Sequence, residues 1–206
     1  MKQLCFTVLG GHGFVGSALA CHLQRCGHEI SVPVRSCSLE QLVNELRGHV
    51  VYCIGLTADF RNRPWDTVDA HVGILRHLLA KGHFASLTYL SSTRVYLGSN
   101  AGHEDAPLTV RPEAPDQLYN LSKLMGESLC HAAHRPEKPV RVVRLSNVVG
   151  GDLNSDNFIY ALLREALATG AIQLNSSLDS AKDYIALLDV VRMIEQISLN
   201  GRAHCY

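Results

Sequence analysis

The stretch "LCFTVLGGHGFVGSALACHL", residues 4–23, places Gly10, Gly13 and Gly16 between a β-rich apolar run and a segment of helical period. Few local patterns restrict a fold more. A strand that feeds a helix through such a turn needs a left-handed or closely approached backbone at each glycine. The helix N-terminus that follows offers unpaired N–H groups and a positive dipole end. Where this turn is the first βα junction of an alternating βα chain, it is built to receive a pyrophosphate.

The rest of the chain alternates in that way. Strand candidates are "LCFTVLG" (4–10), "EISVPV" (29–34), "HVVYCIG" (49–55), "SLTYLSS" (86–92) and "VRVVRLS" (140–146), with helix candidates at 14–26, 39–47, 65–81 and 118–133. Near-continuous apolar strands spaced by helices predict a parallel sheet covered on both faces, hence a doubly wound α/β domain of the Rossmann type. Between the second and third strand candidates there is room only for the helix "LEQLVNELRG", where a six-stranded sheet of this kind has a further strand. Residues 1–150 are expected to form the dinucleotide-binding domain and 151–206 a partial substrate-binding region continuous with it. In the latter the polar "GDLNSDN" leads to a helix near 157–168, a short strand "AIQL", the segment "DYIALLDVV" and a last helix.

Composition narrows the function. Lys plus Arg equals Asp plus Glu at 19 each, which argues against a broad nucleic-acid footprint. Hydrophobic residues at 47% and charged residues at 18% fit a globular domain. No apolar run approaches the roughly 18 residues of a membrane span, and the N-terminus does not read as a signal peptide, so a cytoplasmic location is expected. The seven cysteines are odd in number and scattered; they are expected to be reduced and mostly buried. The eleven histidines match neither H-E-x-x-H nor a finger spacing, so no metal is expected.

After the second strand candidate, "VPVRS" offers Arg35 and no carboxylate. An acidic residue there binds a ribose 2′-hydroxyl and a basic one accepts a 2′-phosphate, so NADP is favoured, with NAD the alternative. "YLSSTRVY" (89–96) and "YNLSKLMGE" (119–127) bring serines, a threonine, a tyrosine and a lysine to the same sheet edge as the glycines. Tyr119 and Lys123 stand at i and i+4, on one helical face. A lysine ammonium near a phenol favours the phenolate, and such a phenol can exchange a proton with an alcohol while hydride leaves its carbon. The pair alone is equally compatible with packing.

Taken together these pieces resemble the extended short-chain dehydrogenase/reductases, the NAD(P)-dependent nucleotide-sugar epimerase/dehydratase group. The matching segments are "GGHGFVG", "YLSSTRVY", "YNLSKLMGE", "RLSNVVG" and "KDYIALLDVV", in order over residues 4–191. The resemblance implies Ser92, Tyr119 and Lys123 as the catalytic set, with Lys123 bonding the nicotinamide ribose and lowering the Tyr119 pKa. It implies Gly10, Gly13, Phe14, Val15, Gly16, Arg35, Ile54, Gly55, Leu56, Tyr119 and Lys123 around the cofactor, and Thr93 and Asn147 toward the substrate. Asn147 could equally cap its own loop. The substrate expected is a nucleotide-sugar, in polysaccharide synthesis, with a homodimer formed through helices 65–81 and 118–133. Alternatives are an NADPH-dependent reductase of a non-sugar carbonyl and a catalytically silent dinucleotide-binding regulatory protein.

Three departures stand out. Thr93 and Arg94 occupy the positions where dehydratases of the family carry Asp-Glu. His71 replaces the Asn of the N-V-x-G-T helix, with a neutral surface histidine as the plain reading, and Ala186 replaces the His of D-Y-I-H. The chain stops at "HCY", in the first residues of a strand that in the family precedes the rest of the substrate lid, so a truncated substrate region is expected.

Overall fold

The computed structural model describes residues 3–56, 59–114, 116–151, 158–174, 177 and 181–206. Five parallel strands form the central sheet: β1 (Cys5–Leu9), β2 (Glu29–Ser31), β3 (His49–Tyr52), β4 (Ser86–Ser92) and β5 (Val140–Leu145), in the order β2-β1-β3-β4-β5. The doubly wound α/β expectation holds. The extra strand is absent among the described residues, and β2 is the edge. α2 (Leu39–Glu45) carries the chain from β2 across to β3, on the far side of β1.

The strands pack on both faces because their side chains alternate. Phe6 and Val8 of β1 point toward α1 (Phe14–Arg25) and α7 (Leu187–Asn200), where Leu19, Leu23, Val190 and Ile194 are fully buried. On the opposite face, Leu9, Tyr52, Leu87 and Tyr89 meet α2, α4 (Ile74–Lys81) and α5 (Gln117–Ala133) through Leu42, Leu75, Leu78 and Cys130. Each fully buried leucine of this kind stabilises the fold by about 1.5–3 kcal/mol.

Several segments differ from the sequence-based expectation. The helix expected at 65–81 is α3 (Pro64–Val68), a π-helical turn (Asp69–Gly73) and α4. The π turn lets His71 turn inward; the side chain is fully buried, not a surface histidine. The "AIQL" segment, 171–174, forms no strand. Instead Asn147–Val149, β6, pairs in parallel with Tyr184–Ala186, β7, in a separate two-stranded sheet, and α6 (Phe158–Thr169) lies between them in sequence. Of "GDLNSDN", all but Gly151 lies outside the described residues. The cysteines are free, as expected, but of the seven only Cys130 is buried and Cys21 is exposed. Cys37, Cys53 and Cys205 are partly buried and pack against the core from its margins. Residues 204–206 run alongside β5, with Tyr206 donating its N–H to Val142 and accepting from Arg144.

Candidate active site

The glycine turn is as tight as its composition demands. Gly10 takes φ +76°, and a Cβ there would stand 2.8 Å from the Cys53 carbonyl carbon. A Cβ on Gly16 would meet the Gly10 carbonyl oxygen at 2.3 Å. Gly13 is the N-cap of α1 and no side chain caps that end, so its first N–H groups are free to face a ligand. β1 and β3 are neighbours whose following helices run to opposite sides, and ligands bind in that crevice of doubly wound sheets.

A cavity of about 940 Å³ opens there. Gly13, Phe14, Val15, Gly16, Arg35, Ile54 and Gly55 line one part of it, and Ser92, Thr93, Tyr119, Lys123 and Asn147 the other. Gly10 shapes the turn from behind, and Leu56 is outside the lining. The glycine cradle and the bare helix end fit a dinucleotide pyrophosphate, and Arg35, on the same cavity, is exposed. A nicotinamide dinucleotide, when bound, supplies hydride chemistry.

Ser92 ends β4 and caps the short 3₁₀ turn Thr93–Tyr96, accepting the Arg94 N–H at 3.2 Å. Its hydroxyl lies beside the Tyr119 phenol and favours the ionised form of that group. Tyr119 is 5% exposed, against the Phe60 ring at 5.1 Å and edge-on to His71 at 5.1 Å. Burial pushes its phenol above the ordinary value, while the Ser92 hydroxyl and the Arg94 guanidinium pull it down. Arg94, 5.9 Å from the ring, is a cation that lowers Tyr119. Lys123 is held one turn on by a 2.8 Å bond from Nζ to the Leu90 carbonyl, and burial lowers it to about 8. In that position Lys123 still lines the cavity.

Asn147 lines the cavity, but its side-chain amide donates to the Asp183 carbonyl at 3.0 Å, which ties the loop before β7 to β6. Thr93 Oγ1 donates to the Leu145 carbonyl at 3.4 Å. Phe60, Arg94, Tyr96, Lys182 and Asp183 also line the space. Sequence reasoning noted Arg94 only as a departure and passed over Phe60, whose loop carries no pattern. Lys182 and Asp183 lie inside "KDYIALLDVV", which was matched as a segment with no site role given to either residue.

Comparison with known proteins agrees with the fold. The chain is 28% identical over 221 residues to UDP-glucuronic acid decarboxylase 1 of Danio rerio, a match that covers 92% of the chain and spans about half, 52%, of that relative. Among solved structures it superposes on TunA, an NAD-dependent NDP-hexosamine 5,6-dehydratase involved in tunicamycin biosynthesis, with a TM-score of 0.80 at 22% identity, over 98% of this chain and 74% of that one. RMD from Pseudomonas aeruginosa, solved with NADPH, gives a TM-score of 0.76 at 24% identity, over 99% of this chain and 75% of that one. The family model for the NAD-dependent epimerase/dehydratase family matches residues 6–204, and the chain belongs to that family.

Proposed function

We propose that the protein is an NADP-dependent oxidoreductase or epimerase of a nucleotide-activated sugar, with Tyr119 as the acid/base, Ser92 bonding the same substrate oxygen and Lys123 bonding the nicotinamide ribose. The observation that carries this reading is the convergence of the glycine turn, Ser92, Tyr119 and Lys123 on one cavity. Burial keeps the resting phenol protonated. A protonated phenol that shares the cavity with the Ser92 hydroxyl is suited to hand a proton to a carbonyl oxygen as the carbon beneath it is reduced. In the opposite direction the same oxygen takes the proton of an alcohol. Epimerase and reductase differ in whether hydride returns to the same substrate.

Arg35 supports NADP over NAD; the relatives divide, TunA being described as NAD-dependent and RMD being bound to NADPH. Arg94, in the dehydratases' acidic position, offers no carboxylate for water elimination. No helix among the described residues is long and apolar enough to cross a membrane. Trp65 and Met125, 81% and 54% exposed on α3 and α5, support pairing of two copies through those helices.

The test is a fluorescence titration of the full chain with NADPH and NADH, followed by a panel of UDP-, GDP-, CDP- and dTDP-sugars. NADPH is expected to bind more tightly, and Tyr119→Phe to lower turnover by about 10²–10⁴-fold with cofactor affinity nearly kept. Undiminished turnover in that variant would end the assignment.

A further inference from the structure

A second constellation lies at the other end of α1, away from the cavity. His22 and Cys26 stand four residues apart on one helical face, and α7 brings Glu195 against them. His22 Nε2 is 2.8 Å from Glu195 Oε2; Cys26 Sγ is 3.8 Å from the same nitrogen and 3.9 Å from the same oxygen. Imidazole, thiol and carboxylate thus form a closed triangle, with all three ligand atoms within 4.8 Å of one another.

His28 supports this triangle from behind. Its Nδ1 accepts the Leu4 N–H at 3.4 Å, so its proton sits on Nε2, which donates to Glu195 Oε1 at 3.0 Å. With Oε1 held in this way, Oε2 is left facing His22 and Cys26. Outer-sphere imidazole–carboxylate bonds of this type orient metal ligands.

The dimensions suit a tetrahedral cation. With metal–nitrogen and metal–oxygen bonds near 2.1 Å and a metal–sulfur bond near 2.3 Å, tetrahedral ligand atoms lie about 3.3–3.7 Å apart. The observed triangle reaches this if the His22–Glu195 pair opens by about half an ångström and the sulfur closes by a few tenths. The His22 side chain is 20% exposed, which leaves a route for entry and a fourth position for water. We propose that His22, Cys26 and Glu195 form a zinc-class divalent cation site that clips α7 to α1, with His28 as a positioning residue. Thiolate and imidazole select zinc over magnesium or calcium. Binding releases the Cys26 thiol proton and moves the His22 proton from Nε2 to Nδ1; no electron is transferred.

The test uses Co²⁺ and Zn²⁺ on the full chain freed of metal by chelation. One equivalent of Co²⁺ is expected to give a thiolate-to-cobalt charge-transfer band with four-coordinate visible bands, displaced by Zn²⁺. Cys26→Ser and His22→Ala are expected to lose it, and Cys21→Ser, which changes the neighbouring exposed thiol, to keep it. His28→Ala is expected to weaken binding by about 10–100-fold with the spectrum retained. Zn²⁺ is expected to raise the thermal midpoint of the unmodified chain and not that of Cys26→Ser. Absence of the band, or its persistence in folded Cys26→Ser and His22→Ala, overturns the site. Neither result touches the nucleotide cavity, whose own test reads cofactor binding.

Discussion

The hydrogen bond between His71 and Ser122, 2.8 Å long, has a fixed direction. The single hydroxyl proton of Ser122 goes to the Tyr119 carbonyl at 2.9 Å, so His71 Nδ1 is the donor and Nε2 carries a lone pair. That Nε2 is buried without a hydrogen-bond partner among the described residues. It borders the space before Gly55: a Cβ there would stand 3.2 Å from Nε2 and 3.5 Å from Lys123 Nζ. Burial, with the Lys123 ammonium adding to it, lowers the imidazole to about 3. The ring is therefore neutral, and its NMR resonances are expected to stay flat between about pH 5 and 9, unlike those of an ordinary histidine. His71→Ala is expected to cost about 2–4 kcal/mol in urea unfolding, from the cavity and the stranded Ser122 contact.

Lys123 predicts a pH effect of two opposite signs. Its folded pKa of about 8 lies below its ordinary 10.5. Between these values the unfolded chain binds more protons than the folded one, so stability from this residue rises with pH across that window. The ammonium that would hold a ribose hydroxyl is lost over the same window. Cofactor affinity is therefore expected to fall above pH 8 while the urea midpoint gains, and Lys123→Met is expected to flatten both curves. A midpoint that falls equally in both proteins would contradict the buried-ammonium account.

The position of Arg94 makes a separate prediction about Tyr119. Burial raises the phenol, and the Ser92 hydroxyl and Arg94 oppose it. Arg94 is steered by Asp116, 3.6 Å away, which Arg61 also holds at 2.6 Å. Arg94→Met is expected to raise the Tyr119 pKa. The measurement is the tyrosinate absorbance titration, taken as a difference against Tyr119→Phe; a downward shift would reverse the assignment. In turnover, the acid limb of the alcohol-oxidising direction, where the phenol must be ionised, is expected to move up with it.

How far the sequence could be read depended on whether the determining contact was local. The glycine turn, the strand periods and the Tyr119–Lys123 spacing are set within a few residues, and all appear where periodicity put them. Contacts between distant segments were hidden. Glu195 meets His22 across 173 residues, so the i,i+4 pair His22 and Cys26 at the foot of α1 gave no sign of its third member. His71 looked like a surface substitution because helical period alone cannot announce a π turn, which rotates the residues after it. "AIQL" had strand-like composition, but β6 took β7 as its partner, and a strand needs a partner more than a propensity. The i,i+4 spacing of Tyr119 and Lys123 fixes only the face they share; the Leu90 carbonyl decides where the ammonium ends.

A buried ion pair closes the underside of the site and gives the last prediction. Arg144 of β5 donates to Glu127 of α5 at 2.7 Å through Nη2 and at 3.1 Å through Nε, with side chains only 8% and 4% exposed. Ser91 Oγ donates to the same carboxylate, and Arg144 Nη1 reaches the Tyr96 hydroxyl at 2.8 Å. Glu127 lies one turn after Lys123 and Ser91 immediately before Ser92, so the pair fixes α5 against the strand end that presents the hydroxyl. Removing one partner strands a buried charge: Arg144→Met is expected to cost about 3–5 kcal/mol. An apolar pair, Arg144→Met with Glu127→Leu, is expected to recover most of that loss, because the desolvation of both charges is also removed. If the pair serves the site, the recovered stability does not restore turnover: kcat stays low while the urea midpoint returns, since Ser91 and Tyr96 have lost the groups that held them. Recovery of both together would show that the pair acts on stability alone.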